Sequence, residues 1–72
     1  MERKNNMTAK TFERFLRYNT GMGYIDIYNL CTIEEGEKIL KEQFKKWIEI
    51  ENPSNSWQIT AKLNISQLGY EI

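Results

Sequence analysis

The sequence predicts an α+β domain, with two helices packed on one face of a small sheet. Three patterns carry that prediction. A capped amphipathic run covers about 33–50, strict alternation of apolar and polar residues covers 57–65, and a shorter alternation covers 24–31. With a helix over about 8–18 in front, the order becomes α-β-α-β, and 68–72 can add a short last strand.

The first helix is read from Phe12, Phe15 and Leu16 on one face and Lys10, Arg14 and Arg17 on the opposite one. Residues 1–6 are polar and aperiodic, and are expected to form a flexible arm. Gly21-Met22-Gly23 reads as a turn. It does not fit a phosphate-cradling loop, which follows a strand and opens a helix. In the expected strand at 24–31, Ile25, Ile27 and Cys31 point to the helices, leaving Tyr24, Asp26 and Tyr28 outward.

The second helix has the strongest signals. Thr32 followed by Glu35 is a capping box, and Glu34 and Glu35 favour the positive end of the helix dipole. Ile33, Gly36, Leu40, Phe44 and Trp47 form one stripe, which Ile39, Ile48 and Ile50 widen. Glu37–Lys41, Glu42–Lys46 and Lys45–Glu49 pair at four-residue spacing on the outer face, worth a few tenths of a kcal/mol each. Gly36 costs up to about 1 kcal/mol relative to alanine, so another backbone is expected to pack closely there. Asn52 before Pro53 ends the helix.

After a loop over 53–56, Trp57, Ile59, Ala61, Leu63 and Ile65 alternate with Gln58, Thr60, Lys62 and Asn64. The phase slips afterwards, which a bulge or turn near Ser66 and Gln67 would absorb. A strand–helix–strand unit crosses over right-handed and makes its strands parallel. Two strands make a poor sheet, so the C-terminal segment or a second copy is expected to complete it.

Composition narrows the function. Seventy-two residues make a single domain with a small core. There is no histidine and one cysteine, Cys31. Histidine-based nucleophile pairs and histidine zinc sites cannot be built, and neither can an internal disulfide. Cys31 lies next to a helix N-terminus, which lowers a thiol pKa, but no base partners it, and a small buried hydrophobe is the expected role. The acids sit on a helix face with lysines. No catalytic group, metal or cofactor is expected.

Net charge is zero, with +3 over residues 1–20 and −3 over 21–51, which argues against a dedicated nucleic-acid binder. No signal peptide is expected, because no apolar run follows residues 1–7, and no apolar run nears the ~20 residues of a membrane span. A cytoplasmic location is expected, in the host if the chain is viral.

The expected function is binding another protein, as a regulator or inhibitor of the kind that phages and mobile elements encode. Tyr24, Asp26 and Tyr28, with Lys62 across the sheet, form the expected binding face. Arg14 and Arg17 offer a second, basic one. Self-association into a homodimer is expected, because small scaffolds need a staple. The rival class is nucleic-acid binding, through tyrosines stacking on bases beside the basic helix or through the C-terminus. There Ile59, Leu63, Asn64, Ile65 and Ser66 resemble the centre of a helix-turn-helix, with Thr60 where alanine is usual. Its recognition helix would start near Ser66, contain Gly69 and run about two turns, too short for a major groove. The nine alternating residues favour a strand.

Overall fold

The computed structural model describes residues 11–72. They form four helices: α1 (Phe12–Thr20), α2 (Tyr24–Leu30), α3 (Ile33–Glu51) and α4 (Asn55–Gln67). Among the described residues there is no strand, so the expected sheet is absent. The expected strands at 24–31 and 57–65 are α2 and α4, and 68–72 is a turn followed by an irregular tail.

The alternating segments became helices for a reason that lies in the pattern itself. Apolar residues at every second position also supply one at every fourth. In α4 the set Trp57, Ala61 and Ile65 forms a helical stripe, and Ala61 and Ile65 are buried. In α2 the working set is Tyr24, Ile27 and Cys31, at steps of three and four, and Ile25 turns outward. The Asp26 carboxylate helps start α2 by accepting the Gly23 N–H at 3.1 Å.

The cap signals of α3 act as read. Thr32 Oγ1 accepts the Glu35 N–H at 3.1 Å, and Glu35 Oε1 accepts the Thr32 N–H at 2.9 Å. Asn52 closes the helix in the left-handed region, with φ of 48°. Gly36, Leu40, Phe44 and Trp47 are buried, but Ile33 at the first turn is exposed. Ser54 caps α4 by accepting the Trp57 N–H. α1 begins at Phe12, with Thr11 as its cap. The expected start at 8, with Lys10 and the arm 1–6, lies outside the described residues. Gly21 ends α1 with φ of 75°, and its turn leads into a helix instead of a strand.

α1 packs on both α3 and α4, and α2 packs on α3. The core between them is aromatic: Phe12, Phe15, Tyr24, Phe44, Trp47 and Tyr70 make up six of its eleven residues. The rest are Leu16, Ile27, Leu40, Ala61 and Ile65. A reversal at Leu68 and Gly69 (φ of 96°) returns the tail to α3. Glu71 N–H then donates to Glu37 Oε2 at 3.0 Å, so Glu37 serves the tail and not only the helix surface.

This return explains Gly36. A Cβ there would lie 2.8 Å from Tyr70 Cε1 and 2.9 Å from its hydroxyl oxygen. The close neighbour is thus an aromatic ring and not the expected backbone. Gly36→Ala is predicted to lose about 1–3 kcal/mol in urea unfolding, since the buried ring has little room to give. In a Tyr70→Ala background the same change turns neutral or favourable, by up to about 1 kcal/mol from helix propensity. The Tyr70 hydroxyl is buried without a hydrogen-bond partner. Tyr70→Phe is therefore predicted to leave stability unchanged or raise it by about 1 kcal/mol or less, and a clear loss would contradict the orphan hydroxyl.

Candidate functional site: a groove beside α4

Two recesses meet along the flank of α4 that faces α1 and α2. One, about 140 Å³, is lined by Thr11, Phe12, Glu13, Tyr24, Trp57, Thr60, Ala61 and Asn64. The other, about 300 Å³ and shallower, is lined by Glu13, Tyr24, Ile25, Asn64, Gln67 and Leu68. They share Glu13, Tyr24 and Asn64. Along α4 the groove runs from Trp57 to Leu68, which at the helical rise is about 16 Å.

Its ends are apolar, with Trp57 at one and Ile25 and Leu68 at the other. Its centre is polar. Phe12, 6.2 Å from Tyr24 between ring centroids, holds the tyrosine against the core, so that only 8% of the residue is exposed. The Asn64 side chain lines the groove beside the Tyr24 phenol, and Glu13 places a negative charge near it. Burial first, then the Glu13 charge, push the phenol up from about 10 to about 12, while Asn64 acts in the opposite direction. At neutral pH the groove therefore presents a protonated phenol, an amide and a carboxylate between two apolar ends. That composition suits a peptide segment with apolar anchors on either side of a polar group. No family model, curated protein or solved structure matches the chain.

The residues expected to form one binding face are dispersed. Tyr24 is buried at the groove floor because α2 is a helix and Tyr24 shares its inner face with Ile27. Asp26 is occupied with the Gly23 N–H. Tyr28 is half exposed on α2. Lys62 is not opposite the tyrosines: its ammonium lies 5.7 Å from the centre of the Phe44 ring, on the α3 side of α4. Without a sheet, nothing brings Lys62 across to α2.

Arg14 and Arg17 do share a surface, around a shallow hollow with Thr11 and Glu13. Arg17 is paired to Glu13 at 3.1 Å, so the basic face is part neutralised. The helix-turn-helix centre is overturned too. α4 runs unbroken through Asn64, where the turn was expected, and ends at Gln67. Cys31 is a free, half-buried thiol at the C-terminal cap of α2, packed against the core. Among the described residues no group of three potential metal ligands clusters. No helix among them is long and apolar enough to cross a membrane.

Glu13, Trp57 and Asn64 were not expected as binding-face residues: Trp57 was read as part of a strand and Asn64 as the turn of a helix-turn-helix. A helical reading of 57–65 would have found two of them, because Trp57, Thr60 and Asn64 then fall on one flank. The raised Tyr24 phenol gives an alkaline signature. A phenol whose folded pKa exceeds the unfolded one contributes stability that is full below about pH 10 and is lost as pH climbs through about 12. Burial shifts Tyr70 in the same direction. The helical circular dichroism signal is predicted to fall across that window, and Tyr24→Phe to move the transition to higher pH. An unmoved transition would separate Tyr24 from the alkaline loss.

Proposed function

We propose that the chain is a small protein-binding module, of the regulator or inhibitor kind, which takes a segment of its partner into the groove beside α4. The carrying observation is the groove's make-up: apolar ends around the polar centre of Glu13, Tyr24 and Asn64. Its floor is anchored in the aromatic core through Phe12 and Tyr24, so the site is preformed and little ordering cost falls on the module. Exposed Ile25 borders the groove and adds apolar area at its rim. The action is docking, with the buried phenol and the Asn64 amide fixing the register of the bound segment.

Affinity capture from native lysate tests this reading. Asn64 is exposed on α4, so Asn64→Arg fills the groove without disturbing the core. The predicted outcome is a loss of about tenfold or more in partner recovery, the effect of about 1.4 kcal/mol. Lys45→Ala, on the outer face of α3, serves as the control and retains the partner. Equal recovery with wild type and Asn64→Arg rejects the groove. Recovery that disappears on nuclease treatment rejects a protein partner in favour of nucleic acid.

A further inference from the structure

The C-terminal tail ties the groove to α3. Gln67 and Leu68 line its shallower recess together with Tyr24 and Ile25. Two residues after Leu68, Tyr70 is buried in the notch that Gly36 leaves on α3. Between the two stands Gly69, with φ of 96° and nothing within 4 Å of where a Cβ would lie. The chain turns there without being gripped by its surroundings.

The seat of Tyr70 fits the ring and fails the hydroxyl. The ring lies against Gly36, with Tyr28, Cys31 and Glu37 around the phenol. The hydroxyl is buried without a hydrogen-bond partner. A buried hydroxyl in that condition opposes docking, because water satisfies it once the side chain is outside. Beyond the turn itself, the polar contact that holds the tail is the Glu71 N–H on Glu37 Oε2, at an exposed position. The tail follows the end of α4, so it can leave while all four helices keep their hydrogen bonds.

We propose that residues 68–72 form a latch that opens and closes about Gly69 and sets the outer end of the groove, an inference that rests on the groove being the binding site. Docked, Tyr70 in the Gly36 notch keeps Leu68 beside Tyr24, and the apolar end of the groove is complete. Released, the hydroxyl gains water and Leu68 loses the anchor two residues away. The open groove keeps Trp57 at one end and is shortened at the other. A bound segment that packs on Leu68 therefore holds the latch closed, to the extent that it prefers the complete groove.

NMR relaxation dispersion on the full chain reads the latch without any ligand, from backbone amides and leucine methyls. In wild type, the Gly36 amide and a Leu68 methyl are expected to report one exchange process with a common rate and a common minor population. A methyl of Leu40, buried in α3, is expected to stay silent. Tyr70→Phe removes the orphan hydroxyl and is expected to lower the minor population about tenfold. Gly36→Ala crowds the ring and is expected to raise that population. Wild type without exchange at Gly36 and Leu68 overturns the proposal. So does exchange at Gly36 with a silent Leu68, or a minor population that Tyr70→Phe leaves unchanged. Asn64→Arg blocks the groove and not the notch, so it is expected to leave the exchange as in wild type. Partner loss in Asn64→Arg without exchange at Leu68 keeps the groove and rejects the latch. Shared exchange with full partner recovery in Asn64→Arg rejects the groove, and with it the role given to the latch.

Discussion

Phe12 is the contact through which the helices become one body. Its ring centroid lies 5.3 Å from that of Trp47, 5.4 Å from Phe44 and 6.2 Å from Tyr24, in tilted or edge-on arrangements. One side chain at the first turn of α1 thereby joins α1, α2 and α3. The dependence is strong because α1 and α2 are only nine and seven residues long. Helices of that length are not stable alone in water, so their helicity is a product of the packing. Large rings bury much area at little entropic cost, which suits a domain whose core has eleven residues. The same contact seats Tyr24, and so places its phenol at the centre of the groove.

α4 is the unusual member. Its inner positions, Ala61 and Ile65, are small and medium in size, so it adds less to the core than α3 does. Its other positions are polar or apolar and, apart from Lys62, uncharged. One flank, with Trp57, Thr60 and Asn64, forms a wall of the groove, and the outward ridge, with Ile59 and Leu63, faces away. A helix that served only to close the core would gain solubility from charges on those positions. The one charge on α4, the Lys62 ammonium, lies over the Phe44 ring.

The legible parts of the fold were those whose information is local. The Thr32–Glu35 box, the αL closure at Asn52 and the turn at Gly21 each follow from residues within a few positions of one another. The stripe of α3 was legible because five apolar or small positions over four turns match only one period, although Ile33 lies beyond the reach of the core. The site was less legible. Tyr24 was recognised as special, but its orientation was inverted, because a two-residue period was assigned to a seven-residue helix. Asn64 and Glu13 have no local signature. Their importance comes from proximity to a phenol forty residues from one and eleven from the other.

The sequence by itself determined the helical start and stop of α3, the apolar face of α1, and the absence of any histidine-based chemistry. These depend on local hydrogen bonding, on periodicity over several turns, and on composition. Only the tertiary structure decided the state of 24–30 and 57–67. Alternation places apolar residues at steps of two, and steps of two contain steps of four, so the same letters satisfy a strand face and a helix stripe. A strand needs a neighbour to take up its backbone hydrogen bonds, whereas a helix satisfies its own. With α1 and α3 offering an aromatic face and no strand to pair with, the segments closed their hydrogen bonds internally. That choice left Ile59 and Leu63 on the outside of the molecule.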